Sequence, residues 1–418
     1  MNGLRLEDLG VLLVASSLVA MLTRRIGLPY TAGLVLAGIA LAYSPLGLDL
    51  PLSRALIFNI FLPPLIFEAA LQLDWRRFRR ELPVTLVLAF GGVLLSASLL
   101  AAALHWLLGW SLLGAAFFAI LIAATDPVSV IAAFKEQKAE PRLAMVVESE
   151  SLLNDGIAAV GFALLLGIAE GGSISANAAI RDFAWTVLGG IGCGSLVAAL
   201  TLALAGRTAD HLVEITLTTI AAWGSFLFAE HVGASGVFAT LVAGLITGNA
   251  GWRTAISQEG RPHVLGFWQY AAFLANSCLF LLIGSHEAHQ PIALVSGMLL
   301  SVFFLTILAR AAAVYPLSCL LRPTRLRLPA SYQHLLVWGG LRGAVALALA
   351  LAVPGSVAEQ HDIVVLTFGV VACSIFAQGL TVPALLRHWK LGGTPSAAAS
   401  DAPPPAPQAP SRHDRDAP

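Results

Sequence analysis

Residues 119–134 read AILIAATDPVSVIAAF, and the fold turns on how this stretch is read. Apolar residues run up to Thr125 and resume after Pro127, with Asp126 between them. Proline lacks a backbone donor and disfavours helix at the residue before it, so the chain is predicted to unwind at Thr125–Asp126. In water such a break is ordinary. In a bilayer it leaves free carbonyls and helix ends at mid-depth, where they attract ions of either sign. Composition decides which solvent applies. Of the 418 residues 57% are hydrophobic and 11% are charged, where soluble domains carry about 25% charged residues. The bilayer is therefore the solvent for most of this chain.

A spanning helix needs about 20 mainly apolar residues. Working outward from 119–134, about thirteen stretches qualify: 7–23, 28–44, 53–72, 82–108, 111–134, 142–169, 179–206, 211–230, 232–250, 264–285, 291–321, 331–354 and 361–386. The boundary at Glu230–His231 is the weakest. Basic residues favour alternate connections, such as Arg24 and Arg25, the Arg76–Arg80 cluster, Lys135 to Arg142, and Arg322 to Arg327. By the positive-inside rule the N-terminus is outside and the C-terminus cytoplasmic. An odd count divides as six, one and six, the arrangement of an inverted repeat. The first apolar run reads as a retained helix, not a signal peptide. Residues 392–418 are rich in Pro, Ala and Ser and are expected to form a disordered tail without a regulatory domain. Net charge is zero, which gives no sign of a nucleic-acid partner. None of the four cysteines forms a C-x-x-C pair, and no metal or cofactor motif is present.

Ionisable residues inside spans mark function by default. In FLPPLIFEAAL (61–71), Pro63 and Pro64 are predicted to break or kink the helix, with Glu68 one turn later. In MVVESESLLNDGIAAVGF (145–162), Glu150, Ser151, Asn154 and Asp155 fall on one face spanning about 140°. Glu148 falls just beyond that face, nearer the cytoplasm, and is left out. In LLVWGGLRGAVALALAL (335–351), Gly339, Gly340 and Gly343 bracket Arg342, which needs an anion. If the chain divides six, one and six, the Pro- and Gly-interrupted spans are both fifth in their halves, and such matching breaks point to a transport site. Arg310 lies inside the eleventh span without an assigned role.

As a set, FLPPLIFEAAL, ATDPVSV (124–130), ESLLNDGIAAV (150–160), SGVFATLVAGLITGN (235–249), FLLIG (280–284) and GGLRGAVALALAL (339–351) resemble the sodium/proton exchanger (NhaP-type) branch of the monovalent cation:proton antiporters. The resemblance implies an all-α polytopic fold of about thirteen helices in two inverted six-helix repeats, within a transmembrane domain covering 1–391. A core, about 82–169 and 291–386, would move against a dimerising scaffold, about 1–72 and 211–285. The two unwound helices would cross at mid-membrane. Residue by residue, Asp155 matches the ion- and proton-binding aspartate and Asn154 its partner. Thr125 matches a backbone carbonyl ligand, and Asp126, Ser151 and Glu68 match groups around the ion. Glu150 and Arg342 match a buried ion pair. The resemblance also implies a homodimer, and the short tail favours a bacterial plasma-membrane protein over the eukaryotic exchangers.

The chemistry follows from the residues themselves. A bare monovalent cation needs several oxygens in place of its hydration shell. Asp155, Ser151 and the Thr125 carbonyl are expected to supply them, with Asp126, Glu68 or water completing the shell. Cation and proton are then expected to compete for Asp155, and the resemblance implies that the chain is an antiporter of Na+ (or Li+) against H+ and not an enzyme. One exchangeable carboxylate predicts electroneutral exchange. Potassium/proton exchange is the nearest alternative, because the ligand types do not separate these ions. An intramembrane aspartyl protease would use Asp126 and Asp155, but no G-x-G-D segment is present. A cation channel would need a filter loop or charged ring, and neither is visible.

Overall fold

Helical segments fall within each of the thirteen predicted ranges in a computed structural model, which describes residues 6–26, 28–44, 53–171, 176–287 and 297–392. In chain order they are α1 (Leu6–Ile26), α2 (Tyr30–Ala42), α3 (Arg54–Gln72), α4 (Trp75–Leu108), α5 (Leu112–Ala123), α6 (Val128–Gln137), α7 (Pro141–Ala169), α8 (Ala176–Ala205), α9 (His211–His231), α10 (Gly236–Ile246), α11 (Gly260–Glu287), α12 (Gly297–Leu320), α13 (Ala330–Trp338), α14 (Ala344–Ala350) and α15 (Gln360–His388). Among the described residues no strand forms; one isolated bridge joins Ala139 and Gly392. Nine helices among the described residues, counting α5 with α6, are long and apolar enough to cross a membrane. The rest of the predicted tail, 393–418, lies outside the described residues.

Pro63 and Pro64 do not break α3. A π-helical stretch, Ile57–Phe61, precedes them, and they sit in the first turn of the α-helical segment that follows. Pro63 has no N–H for the carbonyl of Asn59, which in a regular helix is its partner four residues back. The indole N–H of Trp223, from α9, donates to that carbonyl at 3.0 Å. The proline thus places a helix–helix hydrogen bond at the opening it makes.

The helix predicted over 82–108 begins seven residues earlier, at Trp75. Asp74 caps it by accepting the Arg77 N–H at 2.9 Å. The basic cluster Arg76–Arg80 is therefore helical, not a connection. Glu81 on the same turn is buried and pairs with Arg142 of α7, at 3.0 Å. The uncertain boundary after α9 is a turn: Gly233 takes a positive φ of 70°, and Ser235 accepts the Phe238 N–H at 3.3 Å to start α10.

Close helix approach uses small residues. A Cβ on Gly38 of α2 would run into the Leu281 carbonyl of α11. At one end of α5, Glu359 accepts the Ser111 N–H at 2.7 Å and its hydroxyl at 2.8 Å. Burial pushes the Glu359 carboxyl up, but these hydrogen bonds outweigh it and hold the group below the usual carboxylate range.

Candidate functional site

Two helices are broken where proline and glycine predicted. The chain leaves α5 at Ala124 and re-enters helix at Val128. It leaves α13 at Gly339 and re-enters at Ala344. The breaks touch: the Asp126 N–H donates to the Leu341 carbonyl at 2.8 Å. A Cβ on Gly343 would collide with the Asp126 side chain, so only glycine allows the two chains to approach this closely. The Asp126 carboxylate accepts the Val128 N–H at 2.9 Å, which caps α6.

Unwound backbone in a membrane must find partners. α7 supplies them to Thr125. The Asn154 side chain accepts the Thr125 N–H at 3.2 Å and donates to the Thr125 hydroxyl at 2.7 Å. The Ser151 hydroxyl donates to the Thr125 carbonyl. Asn154, fully buried, also donates to Glu150 Oε1 at 3.1 Å.

The predicted single polar face of α7 is split between two surroundings. Glu150, Ser151 and Asn154 turn toward the broken helix and α12. Asp155 turns toward a cavity of about 340 Å³, with Glu148 and Leu152 beside it. Thr125, Asp126 and Glu68 line the same cavity, together with Lys135, Gln72 and Asn276. Gln72 donates to the Glu68 carboxylate. Ser151 does not line this cavity; it stands behind the Thr125 backbone. Among the described residues none donates a hydrogen bond to the Asp155 carboxylate.

Glu148, outside the predicted face, lines the cavity beside Asp155. It lies seven residues before Asp155, and seven residues make nearly two full turns, so the two side chains leave the helix within about 20° of each other. That spacing was readable from sequence.

The expected Glu150–Arg342 ion pair is not formed. Glu150 pairs with Arg310 of α12, with the guanidinium at 3.1 Å from Oε2 and 3.4 Å from Oε1. The Arg310 Nε–H donates to the Leu336 carbonyl at 2.9 Å, where α13 nears its break. Arg342 donates instead to the carbonyls of Ala123 and Ala124, at 3.3 and 3.4 Å. These belong to the last turn of α5, whose carbonyls have lost their helical partners. A guanidinium needs acceptors, and a helix C-terminus serves where a carboxylate was expected.

Comparison with known proteins finds relatives along most of the chain. The sequence model described as "Sodium/hydrogen exchanger, transmembrane" matches residues 12–388. The low-affinity Na(+)/H(+) antiporter NhaS1 of Synechocystis is 38% identical over 402 residues, covering 93% of this chain and 75% of that protein. The Na(+)/H(+) antiporter ApNhaP of Aphanothece halophytica is 38% identical over 367 residues, covering 87% and 70%. Among solved structures, the sodium proton antiporter MjNhaP1 of Methanocaldococcus jannaschii has a TM-score of 0.72 at 21% identity, covering 91% of this chain and 95% of that one.

Proposed function

The chain belongs to the sodium/hydrogen exchanger family, and from that premise we propose that Asp155 is the group for which sodium and proton compete. The protein is a Na+/H+ antiporter, a multi-pass membrane transporter and not an enzyme. The protease reading of Asp126 and Asp155 is thereby set aside. One observation supports the competition most directly: Asp155 lines the cavity at the crossing of the broken helices, and no described residue hydrogen-bonds its carboxylate.

A sodium ion entering the cavity meets the carboxylates of Asp155 and Asp126 and the backbone of Thr125. A carbonyl oxygen has two lone pairs, so Thr125 can keep the Ser151 hydroxyl and still face a cation. Ser151 and Asn154 then act by holding the unwound segment in place. Glu68, with Glu148 and Lys135, lines the same cavity and sets its charge. Without sodium, a proton neutralises Asp155. If only a loaded site can cross, the competition becomes exchange, driven by either gradient. Glu150 stays paired with Arg310, so one group changes charge per cycle and exchange is electroneutral.

The Lys and Arg placement supports an N-terminus outside and a cytoplasmic C-terminus. By family likeness the protein is a homodimer in which 82–169 and 291–386 move against 1–72 and 211–285. The test is exchange in proteoliposomes, measured as cation-driven pH change with Na+, Li+ and K+ in turn. Sodium-driven proton movement that vanishes in Asp155→Asn is expected. Exchange by a folded Asp155→Asn protein would refute the role of Asp155, and a preference for K+ would establish the alternative ion.

A further inference from the structure

An apolar cavity of about 710 Å³ lies between α4 and α7 on one side and α8 and α10 on the other. Phe78, Phe238 and Leu241 form its buried floor, while Leu86, Phe90 and Ile191 are exposed at its rim. It thus opens sideways, in a chain whose exposed apolar faces meet lipid. Its size is that of a small-molecule pocket, yet its lining is almost without polar atoms, so nothing in it would orient an ordinary solute.

The charge at its end is distinctive. Trp75, Phe78, Leu82 and Leu86 place the groove along one stripe of α4. At about 100° per residue, Arg79 falls about 20° beyond the edge of that stripe and Arg76 about 80° beyond it, both at the basic start of the helix, where a long side chain can reach toward the groove's end. Both arginines are exposed. Among the described residues neither makes an ion pair, and Glu81, the acid of that turn, is already held by Arg142. Clustered arginines at the membrane face of a helix attract anionic headgroups, and Trp75 is of the type that sits at headgroup level.

We propose that this groove is a binding site for one anionic phospholipid, its phosphate on Arg76 and Arg79 and an acyl chain against Phe78, Phe238 and Leu241. The apolar trough and the unpaired arginines at its end are the two halves of one amphipathic ligand. A zwitterionic lipid brings the same phosphate, but its ammonium cancels the net charge that the arginines attract.

Native mass spectrometry of the purified full chain tests this, with titration by phosphatidylglycerol and by phosphatidylcholine of the same acyl chains. Wild-type protein is expected to retain phosphatidylglycerol on the order of tenfold more strongly, from two arginines near a headgroup. The exposed pair Arg76→Gln/Arg79→Gln should reduce this to the phosphatidylcholine level. Leu86→Trp, filling the rim, should weaken both lipids. Equal retention of the two lipids by wild type overturns the proposal, as does an undiminished preference in the arginine variant. A Leu86→Trp protein whose dimer fraction changes while lipid retention does not would assign the groove to a second copy of this chain, and also overturns it.

Discussion

Glu150 and Asp155 stand five residues apart on α7, and their surroundings are opposite. Glu150 is 3% exposed and is held by Arg310 and by the Asn154 amide. Asp155 lines a cavity with Asp126, Glu68 and Lys135, and no described group hydrogen-bonds it. A buried charge is stable only when paired. The helix therefore carries one carboxylate whose charge is fixed by its partner and one whose charge is left to whatever enters the cavity. On the proposed function, five residues, or about 140° of turn, separate bracing from exchange.

The largest effect that breaks this comparison is at Asp155. Asp155→Asn is expected to bring sodium-driven proton movement in proteoliposomes to background while the melting temperature stays near wild type, since no protein hydrogen bond is lost. At Glu150 the reverse is expected. Glu150→Ala or Arg310→Ala leaves a buried charge unpaired and should cost about 3–5 kcal/mol, read as a fall in melting temperature. A double-mutant cycle sharpens the point: Glu150 should couple more strongly to Arg310 than to Arg342. A smaller effect is expected at Glu148, which faces the cavity without being hydrogen-bonded to the unwound segment. Glu148→Gln should raise the apparent KM for sodium several-fold and change the maximal rate little. The smallest effect lies outside the site. The folded Glu359 carboxyl is held below its usual range, so its contribution to stability is fully present above the usual carboxylate pKa and is lost as pH falls through the lowered value. Glu359→Gln should therefore lower the melting temperature slightly at neutral pH, with the difference disappearing in acid.

The features that sequence revealed are those with a local cause. Pro127 and the glycines at 339–343 mark the two breaks in the sequence itself, although Pro63 and Pro64 show that proline alone does not decide one, and Asp126 and Asp155 stand out against apolar neighbours. What was hidden depends on which element faces each side of a helix. Sequence placed Glu150 and Asp155 on one face, but it did not show that Arg310 and the unwound Thr125 segment meet one edge of that face and a cavity the other. Arg310 and Arg342 are both lone arginines in apolar runs, and only the folded structure, in which the Arg310 side chain reaches from α12 to the Glu150 carboxylate, decides which of them meets it. The helical start of α4 was hidden because four arginines read as a loop when the Asp74 cap is not weighed.

The hydrogen bond from the Asp126 N–H to the Leu341 carbonyl has a mechanical consequence. It ties the two interrupted helices at the point where each lacks internal support. Sliding one segment past the other would break this bond, so the two interrupted helices are linked at that point. On the proposed function, a displacement of Thr125 and Asp126 by an arriving or departing ion acts through this bond on α13 and α14.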